Sequence, residues 1–320
     1  MNRRVVLAGG SGLLGRMLAE YLGAKGYNIV VLSRSPKSFL VAKSTVTVRN
    51  VQWDGCSVGD WAKEIDGAVA VINLTGRSVN CRYNAKNQRE ILESRVLSTK
   101  AVGDAIGRCT SPPPIWLNAS TATIYKHSID KPMDENAEMA ATTDAKDEFS
   151  VEVAMAWEKA FFDAFTPKTR KVALRISMVL VDEPRSVFPV LRGLVRRGLG
   201  GALAGGKQYV SWIHHEDFCR AIGWVIEHNE VSGGINVAAP NPIANRDMMR
   251  TLRRVCGVPF GLPATGWMME IGAFFMRTET ELMLKSRRVV PGRLLRDGFE
   301  FKYPRFEQAA DELEQRMRKQ

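Results

Sequence analysis

Along the first half of the chain, apolar positions come in short solid runs, separated by stretches in which they recur every three or four residues. RRVVLAGG (3–10) is a run, GGSGLLG (9–15) a glycine-rich turn, RMLAEYLGAKG (16–26) a helical pattern ending near Gly26, and YNIVVLSRS (27–35) a second run. That order predicts a βαβ unit. TVTVRNVQW (45–53) predicts a third strand and AVAVINLTG (68–76) a fourth; a helical pattern over roughly 84–107, a PPP turn and the run IWLNAS (115–120) follow. Strands without polar alternation are buried on both faces, as in parallel sheets covered by helices.

In VEVAMAWEKA (151–160) and the residue after it, Val153, Ala156, Trp157, Ala160 and Phe161 form the stripe of a core-facing helix. After VALRISMVL (172–180) strict alternation stops, and residues 189–217 predict a helix, a glycine-rich loop and a strand. RAIGWVIEHN (220–229) predicts a helix, INVAAP (235–240) a strand, NRDMMRTLRRVCG (245–257) a helix capped by Asn245 and closed by Gly257, and EQAADELEQRMRKQ a charged terminal helix. GWMMEIGAFFMRTETELMLKSRR (266–288) carries Met and Phe at helical spacing, a core face or a lid over an apolar pocket, with Glu270, Glu279 and Glu281 arguing against a membrane anchor. The whole predicts an α/β fold: a Rossmann-type doubly wound parallel sheet with a smaller, interleaved C-terminal substrate domain. The cofactor domain is expected over 1–180, with 205–240 returning to it, and the smaller one over 181–204 and 241–320.

Composition narrows the class. With 320 residues, 45% hydrophobic and 25% charged, the chain can bury a substantial core. No apolar run approaches the roughly 18 residues of a membrane span, and VVLAGG is too short for a signal-peptide core, so a cytoplasmic protein is expected. The five cysteines, at 56, 81, 109, 219 and 256, are scattered without metal-ligand spacing, which speaks against a disulfide framework and a metal site. The net charge of +11, concentrated in RGLVRRG (192–198) and KSRRVVPGRLLR (285–296), suits a basic surface or a phosphate-bearing ligand. Without aromatic interleaving it does not indicate nucleic acid.

The glycine turn carries the chemistry. Gly9, Gly12 and Gly15, spaced GxxGxxG between a strand and a helix, permit a tight turn, close approach of a pyrophosphate and close helix packing. Gly9, Gly10, Ser11, Gly12, Leu13 and Leu14 are expected to form the pyrophosphate loop at the helix N-terminus. An NAD site places an acid about twenty residues further on; Ser33 and Arg34 stand there, with Lys37 nearby, and a guanidinium suits the 2′-phosphate of NADP. Asp54 is a candidate acceptor from adenine, and Leu74, Thr75 and Gly76 end a strand at the ligand edge of the sheet.

TATIY (121–125), INLTGRSV (72–79), ESRVLSTKAV (93–102), AWEKA (156–160), LRISMVL (174–180), SWIHHEDFCRAI (211–222), INVAAPNP (235–242) and VVPGRLLRDGFEFKYP (289–304) together resemble the extended short-chain dehydrogenases/reductases. Within them the chain is similar to the atypical epimerase family, SDR39U-like, of the NAD-dependent epimerase/dehydratase superfamily, with a small C-terminal domain of unknown function. The resemblance implies NADP as cofactor and Thr121 as the hydroxyl that positions a reacting oxygen. It also implies a Tyr-x-x-x-Lys pair one turn apart, in which the ammonium makes the phenol a usable acid/base. Val153 and Trp157 occupy that spacing. Trp157 is then a core residue or packs its indole on the cofactor, giving one N–H. Tyr125 is the first substitute acid/base, with Lys126, His127, Glu135 and His214 behind it; Arg175 is expected to order the sheet end and His215 to serve the loop or packing. An NADP-dependent oxidoreductase or nucleotide-sugar-epimerase-like enzyme, monomer or homodimer, is expected, acting on a small molecule, with a sugar-nucleotide-like compound as one candidate. The alternative is an NADP-binding sensor or interaction protein that has lost catalysis.

Overall fold

The computed structural model describes residues 3–35, 48–184, 186–263 and 285–319. Lys37, residues 45–47 of the third predicted strand, and residues 266–284 of the Met- and Phe-rich stripe lie outside the described residues. In chain order, β1 (Arg4–Ala8), α1 (Leu13–Ala24), β2 (Asn28–Ser33), β3 (Val48–Gln52), β4 (Ala70–Asn73), α2 (Ala85–Gly107), β5 (Ile115–Thr121), α3 (Glu148–Asp163) and β6 (Arg170–Ile176) build the first half. Then come β7 (Met178–Leu180), α4 (Val187–Arg196), β8 (Tyr209–Val210), β9 (Trp212–His214), α5 (His215–Glu227), β10 (Gly233–Val237), β11 (Ile243–Ala244), α6 (Asn245–Cys256), α7 (Gly292–Arg296) and α8 (Phe306–Lys319).

Seven parallel strands form the main sheet in the order β10-β6-β5-β4-β1-β2-β3, a Rossmann-type sheet whose order reverses between β1 and β4. The solid apolar runs follow from the two covered faces. Val5, Leu7, Ile29, Val31 and Leu117 pack with α1, α5 and α7, while Val6, Ala8, Val30, Leu32 and Trp116 pack with α2 and α3. A separate apolar cluster joins α4, α6 and α8 through Phe188, Val195, Met249, Leu252, Ala310 and Leu313.

Three boundaries differ from expectation for physical reasons. α1 starts at Leu13 instead of Arg16, so the helix opens directly on the glycine turn. α5 starts at His215 instead of 220, because the His214 ring accepts from Glu216 N–H and acidic Glu216 and Asp217 suit the first turn. Asn245 does not cap α6: its buried Oδ1 accepts from Leu203 N–H at 2.9 Å, tying the helix to the glycine-rich loop, while Gly257 ends the helix at φ +71° as expected.

The concentrated basic stretches are largely engaged within the chain. Arg192 and Arg196 bind Glu314, Lys285 forms a buried ion pair with Asp147, and Arg293 donates to the Ser232 and Gly234 carbonyls. Among the described residues, no helix is long and apolar enough to cross a membrane.

Candidate functional site

β1 runs into the turn at Gly9–Gly12, and the turn is shaped by close approach. Gly9 lies at φ +71°, where a Cβ would stand 2.9 Å from the Thr75 backbone, and a Cβ on Gly15 would collide with the Gly10 backbone. Gly12 differs. Its φ is −72°, and the nearest atom to an added Cβ is the Gly9 carbonyl oxygen at 3.5 Å, so the protein's own packing leaves room there. Gly12 is the N-cap of α1, which has no side-chain cap and no acidic residue in its first turn, leaving its first N–H groups to an anion.

Two buried hydroxyls near this turn, Ser33 Oγ at the end of β2 and Thr75 Oγ1 after β4, have no hydrogen-bond partner among the described residues. A buried hydroxyl without a partner is costly and points to a ligand or water as its complement. Arg34 is exposed and makes no ion pair among the described residues. Asp54 is occupied in its own turn: its carboxylate accepts from Cys56 N–H and Ser57 N–H, each at 2.9 Å, and from the Ser57 hydroxyl. Those bonds hold its pKa down to about 2. The turn it folds includes Gly55, whose added Cβ would stand 3.8 Å from Thr75 Cγ2.

Beyond the glycine turn, the carboxyl ends of β4, β5 and β6 and one side of α3 enclose a cleft of about 270 Å³. Leu14, Leu74, Gly76, Thr121, Val153 and Trp157 line it together with Tyr83, Arg95, Phe149 and Ser150. Under its floor, Asn73 Nδ2 donates to Asn118 Oδ1 at 2.8 Å, and Asn73 Oδ1 accepts from Thr75 N–H at 3.1 Å, fixing the turn that carries Leu74–Gly76. Thr121 Oγ1 accepts from Thr123 N–H at 3.1 Å, which leaves the Thr121 O–H to donate into the cleft.

Val153 and Trp157 both reach the cleft, yet the indole N–H is taken by Thr99 Oγ1 at 3.0 Å. The expected N–H donor is therefore engaged inside the protein, and only the ring presents itself to a ligand. The buried stripe of α3 is also rotated from expectation: Ala154 and Glu158 are buried, whereas Ala156 and Ala160 are only half-buried. A carboxylate fits that stripe because Arg175 meets Glu158 with two bonds of 2.9 Å.

The same network takes Tyr125 away from the cleft. Its buried hydroxyl accepts from Arg175 Nη1 at 2.7 Å and donates to Asn236 Oδ1 at 2.8 Å. Burial pushes its pKa up to about 12, against the opposing pull of Arg175, so it stays a neutral phenol. The reserve candidates are likewise engaged elsewhere. Lys126 pairs with Glu138, His127 Nδ1 accepts from Ser286 N–H at 3.1 Å, and Glu135 accepts from Asn236 N–H and Arg293 N–H at 2.9 and 3.1 Å. His214 is fully buried with Nε2 against Glu312 at 3.0 Å; burial, with His215, Arg316 and Lys302 nearby, lowers its pKa to about 2. His215 stacks beside it and is held neutral by burial in the same way.

Tyr83 and Arg95 are two ionisable cleft residues that the linear pattern did not single out. Burial pulls the Arg95 guanidinium down to about 10, against the opposing field of the Tyr83 phenol. A signal was present for Arg95: it stands four residues after Ile91 and three and four before Ser98 and Thr99, all buried, so a charge lies on the inner face of α2.

The description "NAD dependent epimerase/dehydratase family" matches residues 5–238, and a domain of unknown function, DUF1731, matches residues 264–313. The chain is 29% identical over 311 residues to the epimerase family protein YfhF of Bacillus subtilis strain 168, covering 97% of each protein. It is 27% identical over 315 residues to the epimerase family protein SDR39U1 of Homo sapiens, covering 97% of this chain and 99% of that one. The crystal structure of human SDR39U1 (isoform 2) with NADPH superposes with a TM-score of 0.83 at 26% identity, over 98% of this chain and 99% of that chain.

Proposed function

The chain belongs to the NAD dependent epimerase/dehydratase family, and on that premise we propose that it binds NADP at the glycine turn and works as an NADP-dependent oxidoreductase or epimerase-like enzyme on a small molecule held in the adjoining cleft. The observation that carries the reading is the pair of buried, partnerless hydroxyls, Ser33 Oγ and Thr75 Oγ1, beside an open glycine at the start of α1. The NADPH held by the human relative supports the choice of cofactor.

Gly9, Gly10, Ser11, Gly12, Leu13, Leu14 and Gly15 would hold the pyrophosphate, Ser33 and Arg34 the 2′-phosphate ribose, and Leu74, Thr75 and Gly76 the middle of the molecule. When bound, NADP supplies the hydride acceptor or donor. The chain's own residues do the rest. Thr121 donates its O–H to an oxygen of the ligand, while Val153 and the Trp157 ring exclude water and set the width of the cleft. Tyr83 is the one phenol among the described residues lining the cleft and takes the role of proton donor that Tyr125 does not reach.

A second reading rests on α3, where the superfamily's titratable pair is replaced by valine and an indole whose N–H is already engaged. On that reading the chain is an NADP-binding sensor without turnover. Incubation of the NADPH-loaded protein with carbonyl compounds, and of the protein loaded with oxidised NADP with nucleotide sugars, separates the two. Consumption of NADPH or a change of sugar configuration supports the enzyme; tight NADPH binding with no turnover across the panel moves the assignment to the sensor.

A further inference from the structure

Arg95 is the one charged side chain among the described residues lining the cleft, and no carboxylate answers it. Its Nη1 donates to the Ile91 carbonyl at 2.9 Å and the Arg77 carbonyl at 3.1 Å, and the guanidinium stacks 5.0 Å from the centre of the Trp157 ring. Nε and Nη2 make no hydrogen bond among the described residues, and no ion pair is formed there. Arg170 and Arg293 are likewise held by carbonyls, but they do not line the cleft, and other arginines carry a carboxylate partner. Arg175 has Glu158, Arg192 has Glu314, and Arg77, whose carbonyl holds Arg95, has Glu90 for its own guanidinium.

Such a guanidinium is already oriented by two carbonyls and an indole, so little freedom remains to be lost when it pairs. A charge taken out of water is stabilised by a counter-charge more strongly than by neutral carbonyls. Here the place of the counter-charge is the cleft itself, whose other walls are the rings of Tyr83, Phe149 and Trp157 and the side chains of Leu74, Val79 and Val153. Neutral hydroxyls at Ser120, Thr121, Thr123 and Ser150 complete it, with no aspartate or glutamate among the described lining residues.

We propose that Arg95 is the anion anchor of the cleft, and that the molecule bound there is an organic oxoanion, a carboxylate or phosphate carried on an apolar or aromatic body, with its charged group on Arg95 and its body against the Trp157 and Phe149 rings. The proposal rests on the cleft being the substrate end of the cofactor site. It assigns the substrate's chemical class and places its charge, which neither the glycine turn nor Thr121 can do. Burial disfavours the charged guanidinium, and an anion beside it offsets that cost.

The test uses benzoate and phenyl phosphate as probes and benzyl alcohol as the neutral control, each titrated calorimetrically into the protein with and without saturating NADPH. Arg95→Met and Arg95→Lys are measured beside the unmodified chain. At least one anion is expected to bind, benzyl alcohol to bind at least tenfold more weakly, Arg95→Met to lose roughly tenfold or more of the anion affinity, and Arg95→Lys to retain part of it. Which anion binds tells carboxylate from phosphate. Equal binding of the alcohol, anion binding unchanged in both variants, or no anion binding to protein that still takes up NADPH would overturn the proposal. A loss of NADPH affinity in Arg95→Met, with no anion bound by the unmodified protein, would instead assign the guanidinium to the cofactor and also overturn it. Anion binding in a chain that does not take up NADPH would leave Arg95 as the anchor and remove the cofactor reading.

Discussion

The two ends of the site are built on different terms. At the glycine turn, the backbone is held by collisions that only glycine avoids, at Gly9 and Gly15, while Gly12 has room for a Cβ and the buried hydroxyls of Ser33 and Thr75 have no hydrogen-bond partner among the described residues. At the far end, α3 presents Val153 and an indole whose N–H is engaged by Thr99, and buried Glu158 is taken up by Arg175 and by the Ser120 hydroxyl. Holding a dinucleotide and moving a proton are therefore separable properties of one fold: the first survives with the turn, the second depends on a few side chains that packing can replace.

The difference is sharpest when each end is damaged in turn. Glu158→Ala leaves Arg175 charged and buried beneath α3; a loss of about 3–5 kcal/mol is expected in chemical denaturation, with the turn untouched. Tyr125→Phe removes a hydroxyl that bonds Arg175 and Asn236 and should lower stability by about 1–3 kcal/mol. If Tyr83 is the donor, Tyr125→Phe keeps its turnover on an identified substrate and Tyr83→Phe loses it; the reverse pattern would return the role to the loop phenol.

Gly12→Ala reads the other end. Since the folded chain leaves 3.5 Å for a Cβ, thermal stability should be unchanged while NADPH binds at least about tenfold more weakly, a change of about 1.4 kcal/mol. A variant that melts early, or that binds NADPH normally, would mean that this glycine serves the fold and not the ligand.

A separate effect is one of pH. Folded His214 stays neutral down to about pH 2, whereas in the unfolded chain an imidazole takes up a proton below about 6.5. The unfolded state then binds more protons, so stability is full above that value and falls as pH drops through it, by up to about 1.4 kcal/mol per pH unit. His214→Gln should flatten the slope between pH 6.5 and 5 in urea denaturation, and NADPH affinity should not follow it, because His214 lies outside the cleft.

Local patterns carried much of this structure. Solid apolar runs located the parallel strands, and glycines between a strand and a helix located the turn, because both are dictated by neighbours along the chain. Contacts between distant elements were not legible in that way. Tyr125 read as an acid because it follows Thr121 by four residues, but Arg175 and Asn236, fifty and more residues away, hold its hydroxyl. Glu158 stands outside the apolar stripe expected for α3, and its burial follows only when Arg175 is placed opposite it; Asp54 reads as an acceptor for adenine until its turn closes on its carboxylate. Arg95 lay in plain view on the inner face of α2, but a charge on a buried stripe becomes a candidate site only when the partner it lacks can be looked for in three dimensions.

Fluorescence titration with NADPH and with NADH, on the unmodified chain and on Arg34→Asp, tests the cofactor end most directly. A guanidinium on the 2′-phosphate contributes about 1.5–3 kcal/mol, so NADPH should bind roughly ten- to a hundredfold more tightly than NADH, and Arg34→Asp should abolish that preference while the protein remains folded. Equal affinity for the two cofactors, or a preference that Arg34→Asp leaves intact, would contradict it.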